Sequence, residues 1–212
     1  MDIHYRKERD YEAELFAFDA FTEDRRYKEI GMKILVASDI HGSAHYCRKL
    51  LAALDREKTQ RMLLLGDILY HGPRNDLPTE YAPKEVIAML NPLKGRIYGI
   101  RGNCEAEVDQ MVLDFPIMAD YCLLPAGQHM VFCTHGHIYN EDHMPPMMSG
   151  DSLLYGHTHI PRAERCGDKW MLNPGSVSLP KDGNPPSYSV LEDGVFTVKA
   201  MDGTSFMSVD IG

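Results

Sequence analysis

The stretch Lys33-Ile34-Leu35-Val36-Ala37-Ser38-Asp39-Ile40-His41 decides the fold. Four apolar residues in a row, with no polar alternation, describe a strand buried on both faces, as parallel strands of α/β domains are. An aspartate and a histidine then stand just past its carboxyl end. In α/β sheets that end is where functional groups gather, whichever part of the chain they come from.

The same design recurs along the chain. Gly66-Asp67, Gly102-Asn103, Thr134-His135-Gly136-His137 and Gly156-His157-Thr158-His159 each follow an apolar run of strand length. The glycines suit a chain that turns sharply where backbone and ligand approach closely. Strands are expected at 33–38, 61–65 and 96–100, alternating with helices at 43–55, 83–90 and 105–113. Beyond Pro116 the pattern is strand-rich, with strands expected at 117–124, 128–134, 151–155, 162–172, 187–192, 194–201 and 206–210. Two packed sheets flanked by helices accommodate this order. The Pro- and Gly-rich segment from Asn173 to Pro186 reads as an ordered loop, because strand pattern resumes after it.

Imidazole, carboxylate and amide oxygen form a hard-to-borderline ligand set, suited to manganese, iron, zinc or nickel. The candidate ligands are Asp39, His41, Asp67, Asn103, His135, His157 and His159. Two cations share such a set best through a bridging carboxylate, and Asp67, alone in its segment, is the natural bridge. Two such cations leave a net positive centre that attracts a phosphoryl anion, and they generate a hydroxide nucleophile near neutral pH. There is no GxSxG elbow, Walker A sequence or dinucleotide-binding glycine fingerprint, so covalent and nucleotide-triphosphatase chemistries lose support.

Composition bounds the alternatives. The formal charge of −9 argues against general affinity for nucleic-acid backbone, which needs clustered Lys and Arg. Five cysteines, without a CxxC pair or a secretory signal, point to a reduced cytoplasmic compartment, and no apolar run is long enough to span a membrane. The expected organisation is an amino-terminal extension, residues 1–31, followed by a single catalytic domain, 32–212. In the extension, Tyr11, Leu15, Phe18 and Phe21 recur at helical spacing, as an amphipathic helix packing on the domain or on a second copy would require. A competing reading makes Met32 the translation start, since Lys28-Glu29 can be encoded by AAG-GAG, a purine run resembling a ribosome-binding site. Mass spectrometry finding residues 1–31 in the native protein overturns it.

The ordered segments resemble the calcineurin-like metallophosphoesterase superfamily, whose signature runs DxH, GD, GNH[DE], H and GHxH. Gly66 to Asn75, Arg101-Gly102-Asn103-Cys104 and Asn173 to Pro180 resemble in particular its bacterial YfcE-type phosphodiesterases. The resemblance spans residues 32 to about 210 and implies a four-layer α-β-β-α sandwich. It implies one cation held by Asp39, His41, Asp67 and His159, and another by Asp67, Asn103, His135 and His157. The metal implied is manganese, with zinc, iron or nickel as alternatives, and the reaction is in-line attack on a small phosphodiester by a metal-bridging hydroxide.

One position departs from the pattern. Cys104 stands where the signature has a histidine that assists leaving-group departure, and a thiol is a weak hydrogen-bond donor. Diesters with acidic leaving groups are therefore the expected substrates, unless His71 or His137 supplies the proton. Arg74 and Arg101 are candidates to neutralise phosphate oxygens; Arg101 can equally pair with a carboxylate. His4, His45, His129 and His143 lack motif context and are read as structural or solvated. Met144, Met147 and Met148 are expected to pack in a loop or to line an apolar lip. Residues 11–21 and the loop 173–186 are candidate contact surfaces for a homo-oligomer.

Two other functions fit the same scaffold. One is a phosphomonoesterase or nucleotide pyrophosphatase; the protein-phosphatase form lacks its Asp-Arg-Gly after Asp67. The other is a non-catalytic metallophosphoesterase-like binding scaffold, which would be expected to have lost at least one ligand, whereas all seven positions here carry competent side chains.

Overall fold

The computed structural model describes residues 33–212; the helix expected near residues 11–21 and the alternative start at Met32 fall outside them. The strands are β1 (Lys33–Ala37), β2 (Arg61–Leu64), β3 (Ile97–Gly99), β4 (Tyr121–Ala126), β5 (His129–Thr134), β6 (Ser152–Leu154), β7 (Arg162–Cys166), β8 (Lys169–Asn173), β9 (Ser187–Glu192), β10 (Val195–Ala200) and β11 (Ser205–Asp210). The helices are α1 (Ala44–Arg56), α2 (Pro83–Leu90) and the single turn α3 (Glu107–Gln110), with a 3-10 turn at Asn91–Leu93. None is long and apolar enough to cross a membrane.

The strands form two mixed sheets, ordered β11-β10-β9-β1-β2-β3 and β4-β5-β6-β8-β7. Within them β1, β2 and β3 run parallel, as do β5, β6 and β8. Period-two alternation divides the β1 side chains between two cores. Ile34 and Val36 meet Val131, Cys133, Leu154 and Leu172 of the second sheet, whereas Leu35 and Ala37 meet Cys47, Leu50 and Leu54 of α1. Helix α1 can cover the sheet because its buried residues Ala44, Cys47, Leu50, Ala53 and Leu54 recur at one-face spacing. It begins where Ser43 Oγ accepts from the Tyr46 amide at 3.3 Å.

The two sheets packed face to face, with helices against the first, form the sandwich expected from the sequence. Its outermost layer, over Phe132, Leu153, Tyr155 and Met171, is made by Tyr139, Met144 and Met147 of the loop between β5 and β6. The packing role expected of Met144 and Met147 is therefore met.

Three elements differ from the sequence expectation. The stretch 162–172 is a hairpin, not one strand, because Gly167 takes φ +65° and reverses the chain beside Asp168. The helix expected at 105–113 shrinks to α3. Glu105 is committed to backbone amides elsewhere, and Leu113 and Phe115 must dive into the core. The Gln110 side chain satisfies the resulting loop, donating to the Leu113 and Phe115 carbonyls and accepting from the Ile117 amide. The strand expected at 117–124 begins only at Tyr121.

Candidate metal centre

Because β1, β2 and β3 run one way in the first sheet, and β5 and β6 run parallel in the second, the segments that follow them converge. The amide of Asp39 donates to the Gly66 carbonyl at 3.2 Å, that of His41 to Asp67 at 2.9 Å, and that of Gly156 to His135 at 2.8 Å. Close approach demands glycine: a Cβ on Gly102 would lie 2.2 Å from Asp67 Oδ1, and one on Gly156 would lie 1.9 Å from Ser38 Oγ. The backbone is also bent out of its preferred regions. Asp39, His41, Asp67, His157 and His159 all have φ between +49° and +63°. Asp and His tolerate that region better than most residues, yet a concentration of such residues is what strained functional sites show.

All seven expected ligands are brought together in two overlapping groups. In the first, His41 Nε2 lies 3.3 Å from His159 Nε2; these two atoms are 3.5 Å and 3.2 Å, respectively, from Asp39 Oδ1. Asp67 Oδ2 completes the group, 3.7 Å from His41 Nε2. In the second, His135 Nε2 lies 3.5 Å from Asp67 Oδ1, 3.1 Å from Asn103 Oδ1 and 3.2 Å from His157 Nδ1. The two oxygens of Asp67 thus face different groups, an arrangement open to a bridging carboxylate.

The fit to cations can be tested on the imidazoles. His41, His135 and His159 each direct Nδ1 at a backbone carbonyl, of Tyr70, Leu65 and Leu179, at 2.6 to 2.7 Å. A carbonyl only accepts, so each Nδ1 carries the proton and the Nε2 of the neutral ring is a bare lone pair. Lone pairs of His41 and His159 then face one another, and the buried Asp39 Oδ1 between them has no hydrogen-bond partner. Acceptor against acceptor in a dry site is unfavourable unless a cation takes up both. The carbonyls are the outer partners that fix tautomer and ring direction in metal-ligating histidines.

Protonation follows the same geometry. Burial alone would raise the Asp39 carboxyl, but His159 and His41 against it hold it well below the ordinary value. Burial and then His135 push His157 down to about 4, so its ring stays neutral. For His41 burial acts downward, but Asp39 carries the ring above its usual value; without a metal, the same crowding of acceptors draws a proton to where a cation would sit.

Sequence reasoning missed two supports of this centre. Glu105 accepts from the amides of Asp67 at 2.9 Å, Ile68 at 2.7 Å and Gly102 at 2.6 Å, joining the β2 and β3 loops. Its signal was its place in the signature, two residues after Asn103. The loop 173–186 does more than wall a cleft. Ser176 and Ser178 both donate to the Asp39 carbonyl, and Asn173 Nδ2 donates to the Gly156 carbonyl and Thr158 Oγ1.

The other candidates lie around the ligands. Cys104 donates its amide to Asp67 Oδ1 at 2.9 Å, and its sulfur is grouped with the ligand atoms of His41 and Asp67. Burial, then Asp67 beside it, pushes its thiol up, so it stays protonated at neutral pH. The His137 ring lies 5.3 Å from that of His135 and 6.4 Å from that of His157, and burial pushes it below its usual value. His71 sits edge-on against Tyr70 and Tyr81. The Nδ1 atoms of His71 and His137 are buried without a partner among the described residues. A cleft of ≈ 440 Å³ opens over Asp67, Asn103, His157 and His159, with Arg74, Asn75, Thr158 and Lys181 at its walls. Arg101 is half-buried and is not among these wall residues.

Residues 32–193 match the family model of the calcineurin-like phosphoesterase superfamily domain. The chain is 44% identical over 177 residues to phosphodiesterase YfcE of Escherichia coli K12, covering 84% of this chain and 96% of that one. It is 27% identical over 180 residues to the probable metallophosphoesterase YsnB of Bacillus subtilis, covering 81% and 91%. A solved structure of the Escherichia coli phosphoesterase Yfce superposes with a TM-score of 0.82 at 43% identity, over 85% of this chain and all of that one.

Proposed function

The chain belongs to the calcineurin-like phosphoesterase superfamily and is a hydrolase of phosphoric esters; from this premise we propose that it is a dinuclear phosphodiesterase acting on small diesters. Asp39, His41, Asp67 and His159 would hold one divalent cation, and Asp67, Asn103, His135 and His157 the other. The observation that carries this reading is the confrontation of bare acceptors in both groups, with one oxygen of Asp67 turned to each. Two bound cations would supply a hydroxide nucleophile for in-line attack near neutral pH and take up phosphoryl charge. Manganese is the metal we favour, with zinc, iron or nickel able to use the same donors.

The chain's own groups do the rest. Asp39, held as a carboxylate, gives the floor negative charge. Cys104 keeps its proton, but a thiol donates weakly, so the departing oxygen receives little help from it. His137 is held neutral beside the ligands and His71 lies in the loop after Asp67, each with an unpartnered Nδ1; either could relay a proton. Arg74 at the cleft wall can neutralise a phosphoryl oxygen. We place the enzyme in the cytoplasm, since its cysteines are unpaired.

The test is to strip the metal, restore manganese, and assay a bis-aryl phosphodiester beside an aryl monoester. Hydrolysis of the diester in preference supports the proposal, and preference for the monoester favours a phosphomonoesterase. With metal bound and neither ester hydrolysed, the chain is a binding scaffold.

A further inference from the structure

With the proposed cations bound, the cleft over the ligands would hold more positive charge than a simple diester needs. A diester carries one negative charge at phosphorus, which the proposed cations would neutralise from below. Yet Arg74 and Lys181 also line this cleft, and neither makes an ion pair with any described residue, in a chain whose formal charge is −9. Other cations of the described residues, Lys49, Lys58 and Lys84 among them, are also without an ion pair, so what sets Arg74 and Lys181 apart is their place at the wall of this cleft.

The two cations reach the floor from different sides. Arg74 is two residues beyond Gly72, where an added Cβ would lie 3.4 Å from the Cys104 sulfur, so its segment borders the Asn103 end. Lys181 borders the opposite group, its amide donating to the His159 carbonyl at 3.3 Å. The Lys181 backbone is also fixed from the other side, for its carbonyl accepts from both the amide and the Nδ2 of Asn184. Its loop is clamped to Asp39 by Ser176 and Ser178. The held backbone keeps the exposed Lys181 side chain at the cleft wall, where its flexible stem lets the ammonium meet an anion.

We propose that Lys181 is a specificity-determining residue that binds a second anionic group, a carboxylate or phosphate, on one ester arm of the substrate. This rests on the phosphodiesterase reading and narrows it, making the preferred substrates diesters of organic acids or phosphorylated alcohols rather than of neutral alcohols.

The holoenzyme is compared on para-nitrophenyl butyl phosphate and para-nitrophenyl carboxypropyl phosphate, whose arms differ in the carboxylate. The expected result is a lower KM for the carboxypropyl ester, a preference that falls by about tenfold in Lys181→Ala and returns in Lys181→Arg. A second readout is calorimetric titration with phosphonoacetate and methylphosphonate, where the variant should weaken the first more than the second. Equal effects of Lys181→Ala on both members of each pair overturn the proposal, as does transfer of the lost preference to Arg74→Ala. Failure of the unaltered enzyme to hydrolyse either ester overturns the phosphodiesterase reading instead.

Discussion

Glu105 Oε2 accepts the backbone N–H of Asp67 at 2.9 Å, so the conformation of the proposed bridging ligand is held by a side chain from another loop. With the Ile68 and Gly102 amides it makes three bonds from one buried carboxylate, and Asp67 keeps φ +53° under that hold. Glu105→Ala would orphan three buried donors and release Asp67. It should lower stability by about 3 kcal/mol and metal affinity by about 10- to 100-fold. Denaturant titration and calorimetric metal binding check the two effects. Unchanged metal affinity would mean that Asp67 is held by something else.

Metal removal should destabilise the protein as well as silence it, since bare lone pairs of His41 and His159 are left 3.3 Å apart. Chelation is expected to lower Tm by several degrees, and manganese to restore it. Asp67→Ala, cutting both groups at once, should retain less metal by elemental analysis than His157→Ala, which touches one. Equal retention by the two variants would refute the bridge.

Cys104→His restores a donor at the position where the thiol is held protonated. Positioned acid–base groups contribute about 100- to 10,000-fold. A gain of at least about tenfold in kcat is therefore expected on alkyl esters, with a smaller gain on aryl esters that need no protonation. Measuring kcat against leaving-group pKa should show a shallower slope for the variant, and parallel slopes would count against the idea.

Glu57 offers a pH test away from the metals. Burial acts to raise its carboxyl, but Lys199 at 2.9 Å and the Tyr188 hydroxyl at 2.7 Å carry it below the ordinary value. A group with a depressed folded pKa stabilises fully above its unfolded pKa, about 4.3 for glutamate, and loses that contribution as pH falls through the folded value. Glu57→Gln should therefore cost about 1–2 kcal/mol at pH near 7 by urea unfolding. The gap to the parent should close below pH of about 4. A gap independent of pH would show that the ion pair contributes nothing.

Much of this was legible in the sequence because the ligands sit directly after apolar strands. An unbroken apolar run marked β1, and helix α2 was read to the residue at Pro83–Leu90, where proline marks the first turn. The hairpin of β7 and β8 was not read, although Gly167-Asp168 is a turn pair, because apolar residues on both sides masked it. Lys181 and the grip of Ser176 on Asp39 were invisible for another reason. The grip joins segments 137 residues apart, and the place of Lys181 follows from its loop's bond to the His159 carbonyl; no local pattern encodes either contact.

The five ligands with positive φ have a consequence for how such a protein changes over generations. Glycine would suit each of those backbone positions better than aspartate or histidine does, by about 1 kcal/mol. A ligand replaced by glycine thus regains in backbone ease part of what folding loses with the side chain's hydrogen bonds. Inheritance of an intact centre then requires continued use of its chemistry, and a lineage that stops using it can shed the centre while keeping the sandwich.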